Sequence, residues 1–226
     1  MPAQSCYMCD SFETSREHAP PQCFFPTEAE VGQDLRVNLI TVPSCDTHNS
    51  KKSADDEFFR AVVLAACAHQ SPIASGHFLG KLLRAAARNP LTYGNYFNDN
   101  GTVNEGAFRV LQIDRPRLDA CLVHLAHALY FHATGERWAF PVLALSPSLF
   151  VGVMDDEVQT HVPSEQAAEY TRLYLSGIPI QGSNPEVFIY KLRYNDERTT
   201  FAMAALFYHS LEVFCYSSQA MLDADI

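Results

Sequence analysis

The 226-residue chain reads as an α+β protein, and three patterns say so. The first fifty-odd residues are rich in Cys, Pro, Ser and Thr and lack long periodic patterns, but they carry two metal-ligand pairs, Cys6-x2-Cys9 and Cys45-x2-His48. The middle of the chain shows apolar stripes at helical spacing. The tail alternates apolar and polar side chains in three runs separated by turn residues, the pattern of an antiparallel meander.

Taken in order, residues 1–54 need something other than an apolar core to hold them together. Arg36–Val42 is β-prone and ends at Pro43. A helix should begin near Asp46 or, after a break, near Asp55. Ser53-Ala-Asp-Asp56 resembles a capping box with Asp in place of Glu, and Phe58, Phe59, Val62, Val63 and Ala66 form the stripe behind it. A second helix spans roughly Gly76–Arg88 and stops at Asn89-Pro90. Tyr93–Gly106 is a loop full of Asn and Gly, and Ala107–Ile113 alternates like a strand. Arg117–His132 places Leu118, Cys121, Leu122, Leu125 and Leu129 on one face and should be an amphipathic helix ending before Gly135. Phe140–Leu145 suits a strand and Ser164–Leu175 a helix. Val187–Tyr194, Thr199–Tyr208 and Leu211–Tyr216 form the meander, with a turn at residues 195–198. The division this suggests is a small module over 1–70 and an α+β body over 71–226.

Composition bounds the function. Apolar residues make up 47% and charged residues 19%, with 15 Phe and 10 Tyr, which is enough to bury a core. The longest apolar runs, near Ala61–Ala68 and Phe201–Tyr208, are too short to cross a bilayer, so no membrane is expected as partner. Met-Pro-Ala-Gln-Ser-Cys has neither the charged head nor the apolar stretch of a signal peptide. Seven cysteines with a C-x2-C pair then favour metal or redox chemistry in a reducing cytoplasm over a disulfide framework. Cys67, Cys121 and Cys215 lie inside apolar patterns and read as buried small hydrophobes. A formal net charge of −10 weighs against nucleic acid as partner, because phosphate binding is driven by Lys and Arg. Local basic residues near the motif are Arg16, Arg36, Lys51, Lys52 and Arg60, and Lys81, Arg84 and Arg88 share a helix face that reads as solvated.

Cys6, Cys9, Cys45 and His48 supply four ligands on two tight turns, the set that tetrahedral structural Zn²⁺ wants. Cys23 is an alternative fourth ligand. His48 is preferred because paired knuckles order less loop. Between the pairs stand Glu17 and His18, with Asn38 and Asn49 further on. Histidine can act as a general base near neutral pH, and a carboxylate with an amide oxygen suits Mg²⁺ or Mn²⁺.

The span Cys6–Arg60 resembles the HNH nuclease family, whose ββα-metal site joins a hairpin to a helix. Glu17-His18 matches the acid-His pair, Asn38 the middle Asn, and Asn49 the third letter, as in the HNN variant; Glu replaces the more usual Asp. The resemblance implies an endonuclease that hydrolyses DNA, with RNA also possible. His18 would be the general base, Glu17 and Asn49 would hold a catalytic Mg²⁺ or Mn²⁺, and Asn38 would pin the hairpin or orient His18. Arg16, Lys51 and Lys52 would contact phosphates. Residues 90–226 receive no role from it. His124, His127 and His132 read as core or interface histidines, and Trp138 as core. The main rival is a zinc-stabilised module that only binds nucleic acid or protein. A thiol oxidoreductase using Cys6 and Cys9 would need a βαβ context that this region lacks.

Overall fold

The structure, a computed structural model, describes residues 4–94, 96, 113–149 and 164–222. It is α+β. Strand β1 (Ser15–His18) pairs antiparallel with β2 (Thr41–Ser44), with the short helix α1 (Glu28–Val31) in the connection. Two 3₁₀ turns, Asp46–His48 and Ser50–Lys52, lead into α2 (Ser53–Cys67). Then come α3 (Pro72–His77), a π-helical segment (Phe78–Leu82), α4 (Leu83–Arg88), α5 (Pro90–Gly94) and the long α6 (Arg115–Thr134). The remainder is β3 (Leu143–Leu145), α7 (Ser164–Tyr174) and strands β4 (Gln181–Asn184), β5 (Phe188–Tyr194), β6 (Thr200–Phe207) and β7 (Leu211–Ser218). Strands β3 to β7 form one antiparallel sheet in the order β3-β7-β6-β5-β4.

The meander stands where the alternation puts it. On β5, β6 and β7 the residues Tyr190, Met203, Phe207, Val213 and Cys215 are buried on the main core. Phe214 on the opposite face packs with Leu145 and Ala168 of α7. Strand β4 was not foreseen, because Gln-Gly-Ser-Asn has no apolar alternation. Gly182 there has φ +123°, and a Cβ would come within 2.6 Å of the Phe188 carbonyl, so only glycine lets β4 approach β5 so closely.

Helix α6 is set by local chemistry at both ends. The Asp114 carboxylate accepts the Arg117 N–H at 3.1 Å, Pro116 lies in the first turn, and Gly135 closes the helix at φ +72°. Helix α2 starts at Ser53 with Asp55 and Asp56 in its first turn, where negative charge suits the helix dipole. Ser53 itself is not a cap: its hydroxyl donates to the Ser50 carbonyl. The second helix begins at Pro72 and not Gly76, with the Ser71 hydroxyl accepting the Ala74 N–H.

The β-prone run Arg36–Val42 contributes only its end to β2, since Asn38 takes a left-handed φ of +50°. The strand passes through Pro43, whose carbonyl points away from β1 and accepts the Tyr7 N–H at 2.9 Å. Backbone N and O of one strand residue point the same way, so the N–H that proline lacks falls outside the β1 ladder. Ala107–Ile113 lies outside the described residues except for Ile113.

The boundary drawn at residue 70 runs through a single buried core. Phe24 lies 5.4 Å and Phe59 5.7 Å from the Phe207 ring, and the Tyr208 hydroxyl donates to the Phe24 carbonyl. No described helix is long and apolar enough to cross a membrane.

Candidate metal centre and adjoining cavity

The two ligand pairs meet. Ligand atoms of Cys6, Cys9, Cys45 and His48 all lie within 4.8 Å of one another, the one such group among the described residues. The Cys9 and Cys45 sulfurs are 3.7 Å apart, and His48 Nδ1 lies 3.2 Å from Cys45 Sγ, 3.5 Å from Cys6 Sγ and 3.6 Å from Cys9 Sγ. Ligands about 2.3 Å from a tetrahedral ion stand about 3.8 Å from each other, so this set could hold a metal such as zinc. The Met8 N–H points at Cys6 Sγ at 3.4 Å, as backbone amides do toward a thiolate at a metal knuckle. Cys23 is not part of the group. Its thiol reaches toward the Asp56 carbonyl at 3.7 Å, and burial pushes it up to about 12, which keeps it protonated. His48 is therefore the fourth donor. The remaining cysteines, Cys67, Cys121 and Cys215, are buried and free.

This cluster ties the loop before β1 to the turn between β2 and α2, and so faces β1 toward the start of α2. Glu17 and His18, at the end of β1, line a small, partly open cavity of about 10 Å³ with Tyr7, Lys52, Asp56 and, from α6, His124. That volume admits about one water. Glu17 is only 5% exposed, and its carboxylate meets Lys52 Nζ at 2.9 Å; the same ammonium is paired with Asp56, one turn further along α2. Burial pushes the Glu17 and Asp56 carboxyls upward against the pull of Lys52. Burial opposes the Lys52 charge, but Asp56 and Glu17 outweigh it and hold the ammonium above the usual lysine range. His18 is lowered, first by burial and then by the Arg36 charge, which favours the neutral imidazole near neutral pH.

The other sequence-assigned residues stand apart from this cavity. Asn49 does not line it: its amide donates to Ser15 Oγ at 2.7 Å and to the Arg16 carbonyl at 3.2 Å, clamping the turn before α2 to β1. Asn38 is exposed and borders a separate cleft beside Gly182 and Asn184, where Asn184 Nδ2 donates to the Val37 carbonyl at 2.8 Å. Arg16 is exposed, but its guanidinium is braced across the hairpin, donating to Thr41 Oγ1 at 3.0 Å and the Thr41 carbonyl at 2.9 Å. Lys52 is no surface phosphate contact, because its ammonium is taken by two carboxylates. The Lys51 side chain lies outside what the structure describes.

Three side chains of the cavity were not read as site residues. Asp56 looked like a helix cap, and its i, i+4 spacing from Lys52 was the available signal. The hydroxyl of Tyr7, inside the C-x2-C pair, shares a hydrogen bond with His124 Nδ1, 3.1 Å away. His124 follows the apolar stripe of α6 and read as core; its ring lies 5.7 Å from that of His48, and burial lowers it to about 4. Of its neighbours on α6, His127 is half-buried and His132 is exposed. Trp138 is core, its Nε1–H donating to Ser217 Oγ at 2.6 Å. Comparison of the chain with protein-family models, with curated proteins and with solved structures finds no match.

Proposed function

We propose that the chain is an HNH-type endonuclease acting on DNA, with zinc at Cys6, Cys9, Cys45 and His48 as a structural staple. One observation carries the reading: an acid-His pair at the end of a strand, clipped by a Cys₃His cluster against the first turn of the following helix. His18 is the general base that takes a proton from the attacking water, and its lowered pKa keeps it in the basic form at pH 7. Asn49 holds β1 against the turn that precedes α2, and so fixes where His18 stands.

Hard oxygen donors around a cavity of ion size suit Mg²⁺ or Mn²⁺, with Glu17 the first ligand; when bound, the ion supplies Lewis-acid stabilisation of the scissile phosphate and the leaving oxygen. Asn49 is the second ligand by family resemblance, although its amide nitrogen now faces the strand.

The test is nicking of a plasmid by purified protein with Mn²⁺. His18→Ala should lose roughly 10²–10⁴ in rate while metal content and fold survive. Undiminished cleavage by that variant rules the assignment out. A second reading, a zinc-stabilised binding module without cleavage, draws on the small volume of the cavity and on the Lys52 clamp over Glu17. Chelator-insensitive plasmid, intact after prolonged incubation, would decide for it.

A further inference from the structure

The carboxylate that the proposed reaction gives to a divalent ion already holds a cation. Lys52 Nζ is 2.9 Å from Glu17 Oε1 and is paired at the same time with Asp56 Oδ1. All three side chains are largely shielded: 11% of Lys52, 6% of Glu17 and 19% of Asp56 remains exposed. Two carboxylates and one ammonium leave a net charge of −1, which draws a further cation toward the pair. The ammonium already stands 2.9 Å from Glu17 Oε1, so it and an ion cannot both take that oxygen at once. Desolvated opposite charges at this separation attract strongly, so an incoming ion competes with Lys52 directly.

The two anchors differ in position. Glu17 belongs to β1, while Asp56 lies on the same helix as Lys52, one turn away, and is the natural resting place for the ammonium when Glu17 is taken. From this geometry we propose that Lys52 is an internal counter-ion, displaced from Glu17 when a divalent ion binds and retained by Asp56. This rests on the nuclease reading only for the identity of the site, and it concerns binding, not cleavage.

Mn²⁺ binding to the zinc-loaded protein, followed by electron paramagnetic resonance, tests it without any nuclease assay. Lys52→Met removes the competitor and should tighten Mn²⁺ binding at least tenfold, and Glu17→Gln in the Lys52→Met background should abolish that gain. Zinc stoichiometry and circular dichroism establish that each variant is folded. If Lys52→Met unfolds the chain, Lys52→Arg serves instead: its guanidinium bridges both carboxylates more firmly and should weaken Mn²⁺ binding relative to wild type. Unchanged Mn²⁺ affinity in the folded Lys52 variant, or a gain that survives loss of Glu17, overturns the proposal. Failure of plasmid cleavage with the Mn²⁺ results as expected would remove the nuclease reading and leave the counter-ion in place.

Discussion

At the scale of single residues, His77 shows what complete burial does to an ionisable group. Its residue is 0% exposed, and Nδ1 lies 3.3 Å from the Tyr208 hydroxyl. That hydroxyl gives its only proton to the Phe24 carbonyl, so His77 Nδ1 must be the donor and Nε2 is left as a bare acceptor without a partner among the described residues. Protonating Nε2 would place a charge in the core near the Arg60 guanidinium, and burial first, with Arg60 second, lowers the ring to about 4. The unfolded chain takes this proton more readily, with a reference value of 6.5. Stability from His77 is therefore complete above pH 6.5 and is lost as pH falls toward 4, at up to about 1.4 kcal/mol per pH unit. Chemical denaturation across this range should show a shallower pH slope for His77→Leu than for wild type; equal slopes would refute the assignment. A sequence does not show such a group, since His77 has no neighbour in the chain that marks it as buried.

At the scale of elements, the β1–β2 pair has only four residues on each side and comes before α2 with little apolar surface of its own. Two-stranded ribbons are marginal in water, so a metal held by Cys6, Cys9, Cys45 and His48 would fix their place. With zinc present at a thousandfold over its dissociation constant, binding stabilises the fold by about 4 kcal/mol. Chelator treatment, or Cys45→Ser, should then lower Tm by roughly 8–16 °C in a chain of this size. A melt unaffected by strong chelator would show that the four donors hold no ion. The clip itself was legible from spacing alone, because paired knuckles are local. Strands β5, β6 and β7 were legible for a similar reason: their period-2 pattern reports a sheet buried on a core. Strand β2 was displaced by the left-handed Asn38, and β4 had no pattern to read.

At the scale of the molecule, helices α2 and α6, the 3₁₀ turn at Gln22–Phe24 and one face of the five-stranded sheet share one core. Phe24 and Phe59 are 0% and 2% exposed, and each ring packs against that of Phe207. Removing such a side chain's cover costs about 1.5–3 kcal/mol each. Residues 1–70 expressed alone with zinc should therefore give a poorly dispersed spectrum by nuclear magnetic resonance, while the full chain gives a dispersed one. A well-folded fragment would show that residues 1–70 form a unit of their own. Helix α6 also gives the cavity one wall, through Cys121, His124, Leu125 and Ala128. The part of the chain that received no role from its motifs thus completes the site.

The amino-acid order by itself determined the α+β class, the four donors of the metal cluster, the terminal meander and the placement of Glu17 beside His18. Each of these follows from spacing within a few residues or from a pattern repeated along one element. Tertiary structure alone decided that Lys52 closes on Glu17 and Asp56, that Asn49 faces a strand, that Asn38 belongs to another cleft and that His124 walls the cavity. Those outcomes depend on which side chains meet across long separations in a desolvated space, where burial sets the balance between charge pairing and solvation.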